Sequence, residues 1–435
     1  MTFSNVAQDL AIKYADFTMQ RSLYNGLNID ILQNNLPKTA DANKTYMLYA
    51  HVPFCHTFCP FCSFHKYNYD ESAAKKYFYS LRLEMEQIKE AGFDFHSMYV
   101  GGGTTLINED ELLKTLEHAK KLFNINEISC ETDPNHIEPS NLKRFLGLID
   151  RLSIGVQSFN DEILKKVARY SKFGSKDLLI EKLSKAVGIL PITSIDLIFN
   201  FPFQTKDELL YDIQTAIAID SEQVTFYPLM KSNITKDKIA ASLGYSNEDN
   251  EREFYEIICS KFKNYYQNNA WSFSKQSSNL KDEYVGTGNQ YVGVGSGAFS
   301  FLNGELFINA FNLDEYSKRV NANRSATIAK CKFKKRDKIR YLFLTQLFDG
   351  KIDIDKFNLE NGVNLKLDLY LEITLLKATN AIKIIDKEIV LTDFGRYLCV
   401  VLMKEFYIGM DKVRATFRDD AKIKYKKRLR IMDKQ

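Results

Sequence analysis

Between Tyr46 and Tyr227 six short runs rich in β-branched and aromatic residues are separated by longer runs of helical periodicity. The short runs are Tyr46 to Val52, Ser97 to Val100, Glu127 to Thr132, Arg151 to Val156, Ser194 to Phe199 and Gln223 to Tyr227. The amphipathic runs are Glu71 to Ala91, Glu109 to Leu122, Pro139 to Leu146, Asp161 to Tyr170, Lys176 to Val187 and Lys206 to Ile219. Strands joined through helices cannot pair as hairpins, so the order implies a parallel, right-handed α/β array: a barrel, complete or partial, and not a sandwich. Asn108 with Glu111, and Thr205 with Glu208, have capping-box spacing and mark two helix starts. In such arrays chemistry sits on the loops after the C-terminal strand ends.

Around this array the sequence divides into further segments. Residues 1–45 read as an N-terminal helical extension, 46–232 as the partial barrel, and 233–335 as a barrel extension with a Gly-rich segment. Residues 336–420 read as a winged-helix-like module and 421–435 as a basic tail. Within the module, Lys383 to Leu398 has the outline of two short strands and a helix capped at Thr392 or Asp393. A structural or substrate-covering role suits this module better than reading DNA, and no nucleic-acid partner is expected. The net charge is +4, yet Ala421 to Gln435 holds seven Lys or Arg against Asp433, so the body is near neutral and the end is basic. The first residues have no basic region before Lys13 and are interrupted by Asp9 and Asp16, so no signal-peptide apolar segment is expected there. No stretch approaches the roughly 18 apolar residues of a membrane span. The expectation is a cytoplasmic protein, with peripheral contact at the inner membrane face through the basic tail.

Three of the seven cysteines fall in one loop after the first strand, His51-Val-Pro-Phe-Cys55-His-Thr-Phe-Cys59-Pro-Phe-Cys62-Ser-Phe. In a reducing compartment such a cluster indicates metal or catalysis, not disulfides. Three thiolates at CxxxCxxC spacing can each take a different iron of a [4Fe-4S] cubane and leave the fourth iron open. The alternative is a zinc site completed by His51, His56 or His65, although paired CxxC half-sites are absent. Phe54, Phe58, Phe61 and Phe64 are expected to surround the thiolates and limit water there. Cys130, Cys259, Cys331 and Cys399 are isolated and read as small buried residues. Gly101 to Gly103, after the second strand, would let backbone approach a zwitterionic ligand closely. Glu131 and Asp196 end strands on the same rim, where carboxylates accept hydrogen bonds from an ammonium or ribose. Arg169 offers a two-pronged donor for a carboxylate.

The cysteine loop resembles that of the radical S-adenosylmethionine superfamily. Tyr49-Ala-His51-Val-Pro-Phe-Cys, Tyr99-Val-Gly-Gly-Gly-Thr104, Glu131-Thr-Asp-Pro, Arg151-Leu-Ser-Ile-Gly-Val-Gln157-Ser-Phe, Ile195-Asp196-Leu-Ile and Gly293-Val-Gly-Ser-Gly-Ala-Phe-Ser300 occur in family order. Together they are similar to the oxygen-independent coproporphyrinogen III oxidase branch. The resemblance implies a partial (β/α)6 TIM-like barrel with extra C-terminal strands and helices and a small winged-helix-like module. It implies a [4Fe-4S] cluster on Cys55, Cys59 and Cys62, a cluster-bound S-adenosylmethionine held by Tyr49, Gly102 and Glu131, and contacts to a second S-adenosylmethionine from Phe61, Gly103, Thr104, Gln157, Arg169 and Asp196. Pro228 and Phe299 match two further contact positions, and no residue is singled out as catalytic.

Two departures argue against porphyrinogen oxidation: Phe64 stands where the oxidases carry another cysteine, and Thr105 where Thr-Pro is usual. The sequence looks most like class C radical methyltransferases acting on menaquinone, through Cys55 to His65, Cys130 to His136 and Val224-Thr-Phe-Tyr-Pro-Leu-Met230. That resemblance implies two S-adenosylmethionines, methylation of an sp2 ring carbon, a membrane-borne aromatic substrate, and an external electron donor such as flavodoxin or ferredoxin. A content of 13% aromatic residues agrees with a ring-shaped apolar substrate. The alternatives are a haem-opening radical methyltransferase of anaerobic haem use and a haem chaperone without methyl transfer.

Overall fold

The computed structural model describes residues 8–17, 28–31, 38, 40–41, 44–277, 290–418 and 428–430. The six β-rich runs form strands at Tyr46–Val52, Ser97–Gly102, Glu127–Thr132, Arg151–Gln157, Ile192–Phe199 and Gln223–Pro228. Neighbours in sequence are neighbours in the sheet, and every pair is parallel. Tyr46–Val52 is buried along its whole length, as a parallel strand covered on both faces must be. Helices Glu71–Glu90, Glu109–Leu122, Lys176–Ala186 and Lys206–Ile219 turn apolar residues such as Leu81, Leu116, Leu183 and Ile213 to the sheet. Thr205 and Glu208 make a full capping box. Asn108 caps through Glu111 N alone, because the Glu111 carboxylate is drawn to Arg82 and Lys114.

The sheet continues on the other side of Tyr46–Val52 with a parallel strand, Gln290–Val294, and then antiparallel strands Phe299–Leu302, Glu305–Asn309 and Thr327–Lys332. Among the described residues no pairing joins the two ends of this sheet, so the barrel is partial. Two expected elements differ. Residues 1–45, expected to be helical, hold a helix over 8–17 but also a strand, Asn28–Ile31. Its alternating Ile29 and Ile31 let it join the sheet edge, with Ile29 fully buried, by pairing with Thr327–Lys332. The run from Asp161 to Tyr170 is not one helix. It stops after Lys166, where Ala168 takes φ +58, and restarts at Tyr170. The break turns Arg169 inward, to a buried position.

Beyond residue 335, helix Lys335–Leu347, three short helices and a three-stranded antiparallel sheet of Lys351–Asp353, Glu388–Leu391 and Ile382–Ile385 form the C-terminal module. Thr392 caps its last helix through Gly395 N. That helix, Asp393–Arg418, is 26 residues long and therefore spans about 39 Å at 1.5 Å per residue. It runs out of the module and back to the cysteine loop. Of the tail expected at 421–435, residues 428–430 form a strand against Asn28–Asp30, and the remainder lies outside the described residues.

Candidate cluster and cofactor site

The C-terminal ends of the parallel strands open onto one cavity of about 260 Å³. Cys55, Cys59, Cys62 and Phe61 reach it from the cysteine loop. Tyr49, Gly102, Gly103, Thr104, Glu131, Gln157, Asp196 and Pro228 reach it from strand ends, and Arg169 from the helix break. Every residue expected to contact a cofactor is thus in one wall, except Phe299. That ring is buried against Phe311 and meets the cavity-lining Arg414 at 6.0 Å.

The three thiols are half-buried. Thr104 Oγ1 lies 3.9 Å from Cys55 Sγ and donates to Asp133 at 3.0 Å, while Arg169 Nη1 lies 3.3 Å from Cys59 Sγ. Burial, with the neighbouring Cys62 charge, pushes the Cys55 thiol up, so a bound cation is what would favour its thiolate. Among the described residues no three His, Cys, Asp or Glu side chains converge on a single metal position. The histidines of the zinc alternative are engaged elsewhere. His51 Nδ1 pairs with Tyr49 OH at 2.8 Å and its Nε2 with His65 O at 3.0 Å, His65 Nε2 meets Ser296 Oγ and Phe311 O, and His56 sits edge-on to Tyr69. The three cysteines are therefore the metal donors that the loop itself brings to the cavity, which fits an iron-sulfur cluster.

These two histidines also set a pH dependence. Burial pushes His51 down to about 4, with the His65 carbonyl opposing and Arg414 and Arg418 adding to the shift, and burial holds His65 well below its usual value. Both are neutral when folded, whereas an unfolded histidine protonates near 6.5. Stability present above pH 6.5 is therefore lost as pH falls toward 4. Each contributes a slope of up to about 1.4 kcal/mol per pH unit. Buried carboxylates act in the opposite sense, so the comparison isolates the histidine: in urea titrations at pH 7, 6 and 5, the His51→Gln protein should lose less stability than the parent. Parallel curves would defeat this account.

Gly102 and Gly103 line the cavity, and the Gly101–Gly103 run also serves packing. A Cβ on Gly103 would lie 2.4 Å from Phe54 O, and one on Gly102, at φ +120, would lie 2.5 Å from the His51 ring. The glycines let the cysteine loop pack directly on the strand end, and Gly103 N and Thr104 N donate to Val52 O and Phe54 O. The Gly-rich window from Gly286 to Gly297 does related work. Gly295 N donates to buried Glu84, which also accepts from Tyr316 OH and Asn309, with Lys38 Nζ 4.0 Å away. Gly286, in the same window, lies outside the described residues.

On the rim, Glu131 accepts from Tyr99 OH at 2.7 Å and Gly102 N at 3.2 Å, and burial raises its carboxyl. Asp196 accepts from Ser153 and Ser194, and burial pushes it up to about 6 against the attraction of Arg151. Gln157 adopts φ +80 where the strand shifts register between Gly155 and Gln157, a strained conformation of the kind stored at functional sites. Arg169 Nε and Thr132 Oγ1 are buried with no hydrogen-bond partner, and both residues line the cavity. A buried donor left unpaired is costly, so these atoms suit a polar ligand such as S-adenosylmethionine.

Several lining residues were not expected. Asp133 pairs with Lys172 at 2.9 Å. Burial raises its carboxyl, but Lys172 and His136 outweigh that and hold it low. Its position in the Glu131-Thr-Asp-Pro run was a usable signal. Tyr407 and Arg414 come from the last helix, 350 residues from the loop in round terms, and no local pattern announces them. Of the four phenylalanines expected around the thiolates, Phe61 and Phe64 line the cavity. Phe54 is in the core and Phe58 is exposed.

Residues 49–216 match the radical SAM superfamily. The heme chaperone HemW of Bacillus subtilis (strain 168) is 30% identical over 283 residues, covering 62% of this chain and 74% of that protein. The anaerobilin synthase of Escherichia coli O157:H7 is 27% identical, covering 67% and 68%. Among solved structures, coproporphyrinogen III oxidase (HemN) from Escherichia coli superposes with a TM-score of 0.68 over 83% of this chain and 90% of that one, at 21% identity, which speaks to the fold. With the loop, the strand ends and the partial barrel in place, the chain belongs to the radical SAM superfamily, in its HemN/HemW-like branch, a membership that brings a [4Fe-4S] cluster and S-adenosylmethionine.

Proposed function

We propose that this protein is a class C radical S-adenosylmethionine methyltransferase that methylates an sp2 carbon of an apolar ring, with menaquinone as the substrate. In this reading Cys55, Cys59 and Cys62 hold the cluster and the cavity takes two S-adenosylmethionines, one near Tyr49, Gly102 and Glu131. The other lies near Phe61, Gly103, Thr104, Gln157, Arg169 and Asp196. The bound groups supply one-electron cleavage chemistry and an activated methyl group. The chain's own residues orient them: Arg169 Nε offers a donor, Glu131 and Asp196 offer acceptors, and Phe61 packs against Ile198 and Leu229 to exclude water.

The observation that carries the substrate class is the state of the cavity's cations. Lys172 is paired with Asp133, Arg414 with Asp411 at 2.7 Å, Lys66 with Cys62 O, and Arg169 with Gly155 O and Cys59. Lys172 and Arg414 are thus neutralised by carboxylates and Arg169 is turned to the cluster loop, which leaves little positive charge for the two carboxylates of a haem, whereas a quinone needs none. The remaining wall, including Phe64, Tyr227, Leu229, Met230 and Tyr407, suits a flat apolar ring. The haem readings, a ring-opening methyltransferase or a chaperone, draw support from the HemW and anaerobilin synthase relatives.

Reconstituted protein given methyl-deuterated S-adenosylmethionine, a reductant and unmethylated menaquinone should yield deoxyadenosine and a methylated quinone lacking part of the label. Full label retention would remove hydrogen abstraction from the donor methyl. If cells without the gene keep their methylated menaquinone, the haem readings replace this one. The proposal includes a flavodoxin or ferredoxin as donor and docking of the basic end on anionic lipid. Deleting 422–435 should reduce sedimentation with acidic liposomes, and unchanged sedimentation would sink the docking idea.

A further inference from the structure

The last helix of the C-terminal module does more than cover the cavity. Arg418 Nη2 donates to Ser63 O at 2.6 Å, on the residue that follows Cys62. One turn earlier, the buried Arg414 lies over the Phe64 ring at 5.0 Å and lines the cavity beside the cysteines. The charge of Cys62 reaches Arg418, and both guanidinium groups act on His51 beneath the loop. Asp411 offsets Arg414 and also attracts Arg418, so Arg418 adds to the positive charge that Lys66 and Arg169 bring to the loop.

We propose that Arg418 and Arg414 are positioning residues for the cluster: through Ser63 and Phe64 they fix the distal end of the cysteine loop and raise the cluster's reduction potential. The physical reason is that reduction adds one electron to a partly buried group, and nearby positive charge stabilises the reduced form. Cluster potentials respond to net charge, hydrogen bonding and solvent exposure. Phe64 has a place in this device, since it is the surface on which the Arg414 guanidinium stacks. The inference uses the cluster alone and stands whether or not the protein transfers a methyl group.

The test is a redox titration of reconstituted full-length protein followed by electron paramagnetic resonance, with iron measured in parallel. Arg418→Gln should lower the midpoint enough to shift the reduced-to-oxidised ratio about tenfold at fixed potential, which is about 59 mV for one electron. Arg418→Lys, which keeps the charge, should recover part of it. Arg414→Gln paired with Asp411→Asn keeps the buried pair neutral and should move the midpoint less. Loss of iron from Arg418→Gln that Arg418→Lys restores would equally support a positioning role. Full iron with an unmoved or raised midpoint in Arg418→Gln overturns the proposal.

Discussion

Replacing Cys59 with alanine is expected to give a folded, colourless protein that produces no deoxyadenosine. The loop supplies three thiols, and each has a different iron to hold in a cubane, so removing one leaves two irons without a protein ligand. Anaerobic reconstitution should yield about four irons per chain in the parent and background iron in the variant. The fold should persist, because Cys59 is half-buried in a loop and lies outside the hydrophobic core. Cys259→Ala is the matched control. Its thiol is also half-buried but sits on helix Glu251–Lys261, away from the cavity, with its pKa pushed up to about 11 by burial. That protein should keep its iron. A Cys59→Ala protein with a full iron-sulfur spectrum would refute the assignment of the loop, and zinc in a colourless parent would refute the radical reading altogether.

Gly103→Ala is the second large effect, and it separates packing from chemistry. The added methyl would lie 2.4 Å from Phe54 O and 2.9 Å from both Phe54 C and Phe54 N, all backbone atoms that cannot rotate aside. Either the strand end or the cysteine loop must move. The bonds from Gly103 N to Val52 O and Thr104 N to Phe54 O tie the two together there, so either movement strains them. Overpacking of this kind costs about 1–3 kcal/mol. A shift of the loop also displaces Cys55, the residue after Phe54, so iron content should fall along with the denaturation midpoint. Thr104→Ser is the comparison that leaves the backbone alone, and it should retain both. If Gly103→Ala matches the parent in urea midpoint and in iron, the close packing of loop on strand is not what the glycine serves.

Much of the barrel was legible because its signals are local. Each β-rich run is bounded by charged amphipathic segments, and the predicted limits of the six strands and of four of the six helices fall within about two residues of those observed. Glu109–Leu122 and Lys206–Ile219 coincide with the expectation at both ends. The departures have local physical causes that periodicity does not carry. Ala168 in the left-handed region splits one helix, and the short alternation of Ile29 and Ile31 pulls an N-terminal segment into a sheet edge. The site was legible in the same degree. Residues at strand ends, such as Tyr49, Glu131 and Asp196, were found because their position along the strand fixes the rim they occupy.

The direction of side chains within the loop was not legible, so Phe54 and Phe58 were wrongly placed around the thiolates. Nor could the sequence show what the glycines meet: Gly103 faces the chain's own backbone, and Gly295 faces a buried carboxylate held by Tyr316 and Asn309.

By itself the sequence determined the parallel barrel, the thiolate loop and the rim carboxylates, since strand order, loop spacing and strand ends are set by neighbours along the chain. Only the tertiary structure decided how the cavity's cations are paired, and that the C-terminal helix lies against the cysteine loop. Those depend on residues such as Arg414 and Arg418 being brought to Phe64 and Ser63 across more than 300 positions. Contacts over that distance are selected by burial and charge pairing in the finished core, and no local pattern encodes them.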